Sequence, residues 1–218
     1  MLVETDCPYL SPQGWRGKRC EPGYVRSTAE KLAEVKGLTL EDVARITSLN
    51  AWRLLGIGDV DQSTRIAYVI RNSLYLNITN RGTNKCPFCA KFNDFTVKGH
   101  QLCLEREPSA EEVMNAIGDP SAYDEVVFCG YGEPLIRLDL VKEVAGAMKQ
   151  SGITVRLNTD GQANLVHGRN ILPELAGLVD SISVSPNAPA AETYQKICRS
   201  VFGEQGHAAL NDFLVESK

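Results

Sequence analysis

No apolar run in this chain approaches the ~20 residues needed to cross a bilayer, so a spanning helix is excluded. Its first residues, MLVETDCPYL, lack a basic stretch followed by an apolar one, so export is not expected. There is no excess of basic charge: the formal net charge is −4 and Lys and Arg are dispersed, which argues against a nucleic-acid surface. Histidine is scarce. His100, His167 and His207 are the only three, so no histidine-based metal centre can be built within residues 1–57. Internal repeats and low-complexity segments are also missing. What is present suits a globular protein. With 218 residues and 43% hydrophobic content, one sizeable core or two small ones can form. Seven cysteines, an odd and irregularly spaced set, favour a reducing, cytoplasmic setting with thiols free for metal.

Two compositional regions meet near Gly56 to Thr64, dividing the chain into 1–57, a linker 58–64, and 65–218. In the first, Leu2 to Thr5 reads as a strand, and Pro8, Pro12 and Gly14 enforce loop. A helix is expected from Tyr24 to Val35, with Gly37 as its C-terminal cap. A second begins after Thr39, whose hydroxyl can cap, with Asp42 three residues on. It places Val43, Ile46 and Leu54 on one face and stops at Gly56.

The second region alternates strand and helix. Leu74 to Thr79 is a strand, paired through an Arg71–Ser73 turn with Arg65 to Ile70. Ser109 and Glu112 form a capping box for a helix carrying Val113, Met114 and Ile117. Strand Glu125 to Cys129 follows, then helix Leu138 to Gln150, with Val141, Val144, Ala145 and Met148 inward and Gly152 closing it. Strand Ile153 to Asn158, helix Leu172 to Leu178 and strand Ser181 to Ser185 come next; helices Ala190 to Ile197 and His207 to Glu216 end the chain. This alternation implies right-handed βαβ units and a parallel sheet.

The unusual residues fall after the strands. NRGTNKCPFC follows the first core strand, GYGEP (Gly130 to Pro134) the second, and Asn158-Thr159-Asp160-Gly161 the third; Ser183, Ser185 and Asn187 end the fourth. The C-terminal rim of a parallel β/α array is where active sites form. Thiolates at the C-x2-C spacing of Cys86 and Cys89 can share one metal centre, and Phe88 between them can cover a flat ligand. Plainer readings exist for each. GYGEP and NTDG both have turn chemistry. Cys86, Cys89, His100 and Cys103 also have the spacing of a zinc set. Lys85, Lys91 and Lys98 read as solvated loop charges, and Cys7, Cys20, Cys129 and Cys198 as small buried thiols.

Two resemblances carry these motifs further. VETDCPYLSP, RGKRCEPGYV and ITSLNAWRLLG resemble the C-terminal end of TatD-type metal-dependent hydrolases, a TIM-barrel family. There the aspartate matching Asp6 ligates metal, but the H-x-H pair, glutamate and further histidines that complete the set are missing, so Asp6 is expected to be idle. LYLNITNR…CPFC, VVFCGYGEP, RLNTDGQ and SISVSPNAPAAETY resemble the TatD-associated branch of radical SAM enzymes. That resemblance implies an α/β partial parallel (β/α) barrel with a [4Fe–4S] cluster on three cysteines. S-adenosylmethionine (SAM) would bind the cluster, and an electron donor such as flavodoxin or ferredoxin would serve it. It further implies Gly130, Gly132 and Glu133, facing the mouth, for the methionyl ammonium. Asn158, Asp160 and Ser183 would serve the ribose hydroxyls and carboxylate, and a TatD-type hydrolase domain is the implied neighbour. The family pattern is C-x3-C-x2-C, and Gly82 stands at its first cysteine. Cys103, or Cys129, is the candidate third ligand. Both regions look shortened against their families, so the chain is expected to be a piece of a longer fusion, or a degenerate gene product, with an unpaired sheet edge; a non-catalytic remnant that holds no cofactor is the alternative beside the zinc set. The resemblance names no substrate.

Overall fold

The computed structural model describes residues 1–92 and 96–218. The chain divides into two compact units, Met1–Ser63 and Thr64–Lys218.

The first unit is helical. Helix α1, Val25–Lys36, closes on Gly37 at φ 58°, a left-handed turn that glycine adopts without strain. Helix α2, Leu40–Leu55, starts on the expected capping box: Asp42 N–H donates to Thr39 Oγ1 (3.1 Å) and Thr39 N–H donates to Asp42 Oδ2 (3.3 Å). Its buried cluster is small, built on Ala29, Ala33 and Val43. Two expectations fail here. Leu2 to Thr5 is not a strand, because among the described residues this unit has no other strand to pair with it. Leu54 is not inward either; it is 68% exposed, since the small cluster reaches only the first half of α2.

The second unit holds a five-stranded sheet in the order β1-β2-β5-β6-β7. Strands β1 (Ala67–Ile70) and β2 (Ser73–Leu76) form an antiparallel hairpin whose turn places Arg71 at φ 55°. A small separate hairpin, β3 (Thr96–Val97) and β4 (His100–Gln101), precedes helix α3 (Ala110–Ile117), which starts on the Ser109–Glu112 capping box. Then come β5 (Glu125–Phe128), α4 (Leu138–Gln150), β6 (Val155–Thr159), α5 (Ala163–His167), α6 (Leu172–Leu175) and β7 (Ser181–Val184). Helices α7 (Ala191–Cys198) and α8 (Gln205–Glu216) complete the unit. Within the five-stranded sheet, β2, β5, β6 and β7 pair in parallel.

Period-two burial sets the two faces of this sheet. Leu76, Phe128, Leu157 and Ile182 stand in register on one face, which packs with Val141, Val144 and Met148 of α4 in the main core. Tyr75, Val127, Arg156 and Ser181 stand in register on the other. Among the described residues the sheet does not close; it is a partial β/α barrel with free edges at β1 and β7. The helix expected over 172–178 is only one turn, α6, because Ala176 leaves helical geometry (ψ 128°) and Gly177 turns left-handed at φ 76°. Helix α5, not expected, is ended by Gly168 at φ 62°.

Candidate functional site at the sheet rim

Four loops meet at the C-terminal ends of β2, β5, β6 and β7 around a cavity of about 280 Å³. The β2 loop contributes Asn84, Cys86, Phe88 and Cys89, and the β5 loop contributes Cys129 to Glu133. Asn158, Thr159 and Asp160 come from β6, Ser185 and Asn187 from the segment after β7.

Glycine in GYGEP answers to close packing. A Cβ on Gly130 would collide with the Asn77 side chain, and one on Gly132 would collide with the carbonyls of Arg81 and Thr79. The two loops can therefore bond directly: Gly132 N–H donates to Thr79 O (3.0 Å) and Glu133 N–H to Arg81 O (2.7 Å). Their backbone then lines the cavity.

Glu133 does not stand free at the mouth, as its sequence position suggested. Its residue is 4% exposed, and its carboxylate is turned into the protein. Oε1 accepts from Leu135 N–H (3.0 Å) and Thr159 Oγ1 (2.9 Å); Oε2 accepts from Asp160 N–H (2.7 Å). Burial, then the neighbouring Asp160, pushes its pKa well above the ordinary carboxylate range. Asp160 is also raised by burial; it accepts from Gln162 N–H (3.1 Å) and from the Thr83 hydroxyl. These two acids link three of the four loops.

Asn158 is oriented from below. Arg156 grips Glu125 with two parallel bonds (2.9 and 2.7 Å) and donates a third to Asn158 Oδ1 (2.9 Å). This leaves the Asn158 amide N–H groups as the donors that face the cavity and Cys129. Ser183 pairs with Asn158 in the sheet, is exposed, and is not among the lining residues. Ser185, two residues on, takes that place. Phe88 lines the cavity and remains 61% exposed.

The thiols are arranged less simply. Cys86 and Cys89 sit on one turn, Cys89 N–H donating to Cys86 O (3.0 Å). Cys86 is buried beside Cys198, with its Sγ 3.8 Å from the Cys198 carbonyl, and its pKa is pushed up to about 12 by burial and then by Cys198. Cys89 is half-buried. Among the described residues no three His, Cys, Asp or Glu side chains converge to hold a metal ion. Cys103 therefore does not complete the pair, nor does Cys129, although Cys129 lines the cavity. Nor are the side chains of the zinc spacing, Cys86, Cys89, His100 and Cys103, gathered into one group among the described residues. His100 Nε2 lies 2.9 Å from Val69 O with its ring against Tyr68, and Cys103 O accepts from Thr64 Oγ1 (2.9 Å). Lys91, expected to be solvated, donates to Asn80 O (2.8 Å). Asn84, Thr159, Ser185 and Asn187 were not assigned a role from sequence; their one signal was position after a strand.

The fold and site define a partial parallel β/α barrel with a polar, thiol-bearing cavity on its C-terminal rim. The family model described as Radical SAM superfamily matches residues 76–205, and the chain belongs to that superfamily. A second model, TatD related DNase, matches residues 1–56, about a quarter of the chain. The curated relatives agree with that second match. The uncharacterized metal-dependent hydrolase YabD of Bacillus subtilis is 54% identical over 57 residues, 26% of this chain and 22% of that protein. YcfH of Escherichia coli K12 is 47% identical over 57 residues, again 26% and 22%. The Mycobacterium tuberculosis hydrolase TatD is 47% identical over 58 residues, 27% and 22%. The chain thus spans about a fifth of the length of these relatives. Asp6 is exposed. No described helix is long and apolar enough to cross a membrane.

Proposed function

We propose that the rim cavity is a SAM site of the radical SAM type, held in a chain whose cluster ligand set is incomplete. The observation that carries this reading is the convergence of GYGEP backbone, the Asn158 amide, Asp160 and Ser185 around one cavity beside the CPFC loop. SAM offers an ammonium, a carboxylate and ribose hydroxyls, and this rim offers acceptors and donors for each. Phe88 is placed to cover a flat ring.

The residues present do not fit a three-thiolate cluster. Cys86 and Cys89 supply two sulfurs, Gly82 supplies none, and among the described residues no third ligand converges on them. A complete [4Fe–4S] site would give one electron to bound SAM; the parent chain is proposed to bind SAM without cleaving it. What this chain's own residues do is bind and orient. Glu133 holds the GYGEP and β6 loops together, and Arg156 fixes Asn158.

Calorimetric titration of the anaerobic chain with SAM tests the site. Binding that is weakened by Asn158→Ala supports it, and no binding by the parent refutes it. The cluster deficit is tested separately by iron and acid-labile sulfide. A parent that already carries about four irons per chain contradicts the deficit and leaves the SAM site standing.

A further inference from the structure

Three of the seven cysteines meet in one small apolar cluster. Cys86 and Cys198 are buried there, 9% and 0% exposed, among Ala188, Tyr194 and Leu210, and Cys89 packs against them. The three are not gathered around one point, since no three ligating side chains converge among the described residues. They stand in series, with Cys86 in the middle. Cys89 N–H donates to Cys86 O (3.0 Å), a turn that keeps the two Cα atoms within about 7 Å, the span a disulfide can bridge. On its other side Cys86 Sγ lies 3.8 Å from the Cys198 carbonyl, and Lys85 N–H donates to the same oxygen (2.8 Å). Cys198 and Cys89 are both near enough to act on the charge of the Cys86 thiol.

Access falls along this series. Cys89 is half-buried and lines the rim cavity beside exposed Phe88, whereas Cys198 has no exposed surface. A reagent that enters the cavity meets Cys89 first. Disulfides exchange by attack of a thiolate on a disulfide sulfur, so an oxidising equivalent accepted at Cys89 can be handed inward from one thiol to the next.

We propose that Cys89, Cys86 and Cys198 form a thiol–disulfide exchange site that accepts a low-molecular-weight disulfide, RSSR. The Cys89 thiolate attacks one sulfur of RSSR; the S–S bond breaks, the leaving thiolate takes a proton as RSH, and a Cys89–SR mixed disulfide remains. Cys86, losing its proton, attacks the Cys89 sulfur, expels the second RSH and closes a Cys86–Cys89 bridge. Cys198 then attacks the Cys86 sulfur, passes its proton to Cys89 and leaves a Cys86–Cys198 bridge. Two protein thiols are oxidised and RSSR is reduced to two RSH. The final bridge ties the CPFC loop to the end of α7 and withdraws Cys86 from any metal. The inference rests on the cluster deficit, which leaves both CPFC thiols free, and not on SAM binding.

The experiment treats the full chain anaerobically, near neutral pH, with 2-hydroxyethyl disulfide. Samples are quenched in acid over time and mapped by nonreducing tryptic mass spectrometry. Peptide 86–91 should first gain one hydroxyethylthio group, then carry an internal bridge, then become joined to peptide 197–199. Cys198→Ala should stop at the Cys86–Cys89 bridge, and Cys86→Ala at the mixed disulfide on Cys89. Cys89→Ser should slow formation of Cys86–Cys198 by at least about tenfold. The time course of the parent requires no variant to fold. A parent that stays at the mixed disulfide, or a Cys89→Ser chain that forms Cys86–Cys198 as fast as the parent, overturns the proposal. Iron content of the starting chain is measured alongside: about four irons per chain would overturn the deficit itself, whereas failed exchange in an iron-poor chain overturns this inference alone.

Discussion

The carboxylate of Glu133 accepts the backbone N–H of Asp160 at 2.7 Å, across a separation of 27 residues. This bond joins the loop after β5 to the loop after β6, and the Thr159 hydroxyl reinforces it from the same side. A residue whose sequence context suggests ligand contact is thus also a keystone of the rim.

Replacing Glu133 by Ala should therefore destabilise the domain. A buried N–H, a part-buried N–H and a buried hydroxyl would lose their acceptor, and each buried group costs on the order of 1–3 kcal/mol when left unmade. A loss of at least about 3 kcal/mol in urea unfolding is expected. A variant that stays as stable as the parent would show that Glu133 is not structural.

The same residue gives a pH dependence. Its folded pKa is raised by burial, so the native state binds this proton more tightly than the unfolded chain does. The contribution is present below the ordinary carboxylate range and is lost as pH rises through the raised value. Unfolding free energies of the parent and Glu133→Gln, compared from about pH 4 to about pH 8, should show the parent losing stability relative to the variant as pH rises. Parallel curves would contradict the raised pKa.

Cys86 should resist alkylation. The thiolate is the nucleophile, and burial pushes the Cys86 thiol up to about 12. Iodoacetamide near neutral pH, read by peptide mass spectrometry, should label half-buried Cys89 well before Cys86. Equal labelling would mean that the loop opens readily.

Gly82→Cys should be tolerated and should gain iron. A Cβ there would meet nothing nearer than Asn84 O at 3.8 Å, and Gly82 does not have the positive φ that would strain another residue. Melting temperature should not fall, because removing a glycine at a compatible position stabilises by about 0.4–1 kcal/mol. Iron per chain should rise towards about four after anaerobic reconstitution, with 5′-deoxyadenosine formed from SAM under dithionite. A folded variant that gains no iron would end the cluster reading for this chain.

Arg156→Lys should not act as a conservative change. Lysine cannot hold Glu125 with two parallel bonds and Asn158 with a third. A cost of about 1–2 kcal/mol is expected for this half-buried pair, together with weaker SAM binding as the Asn158 amide loses its orientation. Unchanged SAM affinity would remove Arg156 from any positioning role.

Much of this architecture was legible because local chemistry and burial agree. Both capping boxes, the Gly37 and Gly56 stops, the β1–β2 hairpin and the α4 core stripe are local signals, each formed within a few residues. The gathering of motifs on one rim follows from parallel topology alone. What was not legible depends on distant partners. The burial of Glu133 is set by Asp160 and Thr159, and the seat of Cys86 by Cys198, 112 residues away. Leu2 to Thr5 has the composition of a strand, but a strand also needs a neighbour, which its sequence cannot supply.

That distance between Cys86 and Cys198 also bears on when the rim forms. Lys85 N–H donates to Cys198 O (2.8 Å), Val201 N–H to Thr83 O (2.9 Å), and the Asn84 amide to Tyr194 Oη (3.1 Å). The thiol loop is therefore pinned by the end of α7, which leaves the ribosome long after the loop itself. Closing so large a loop is slow relative to local hairpins and helices. In pulse-labelled refolding, the Lys85 amide should gain protection in the last phase, well after Leu157 in the sheet. Early protection at Lys85 would show that the loop takes its shape without α7.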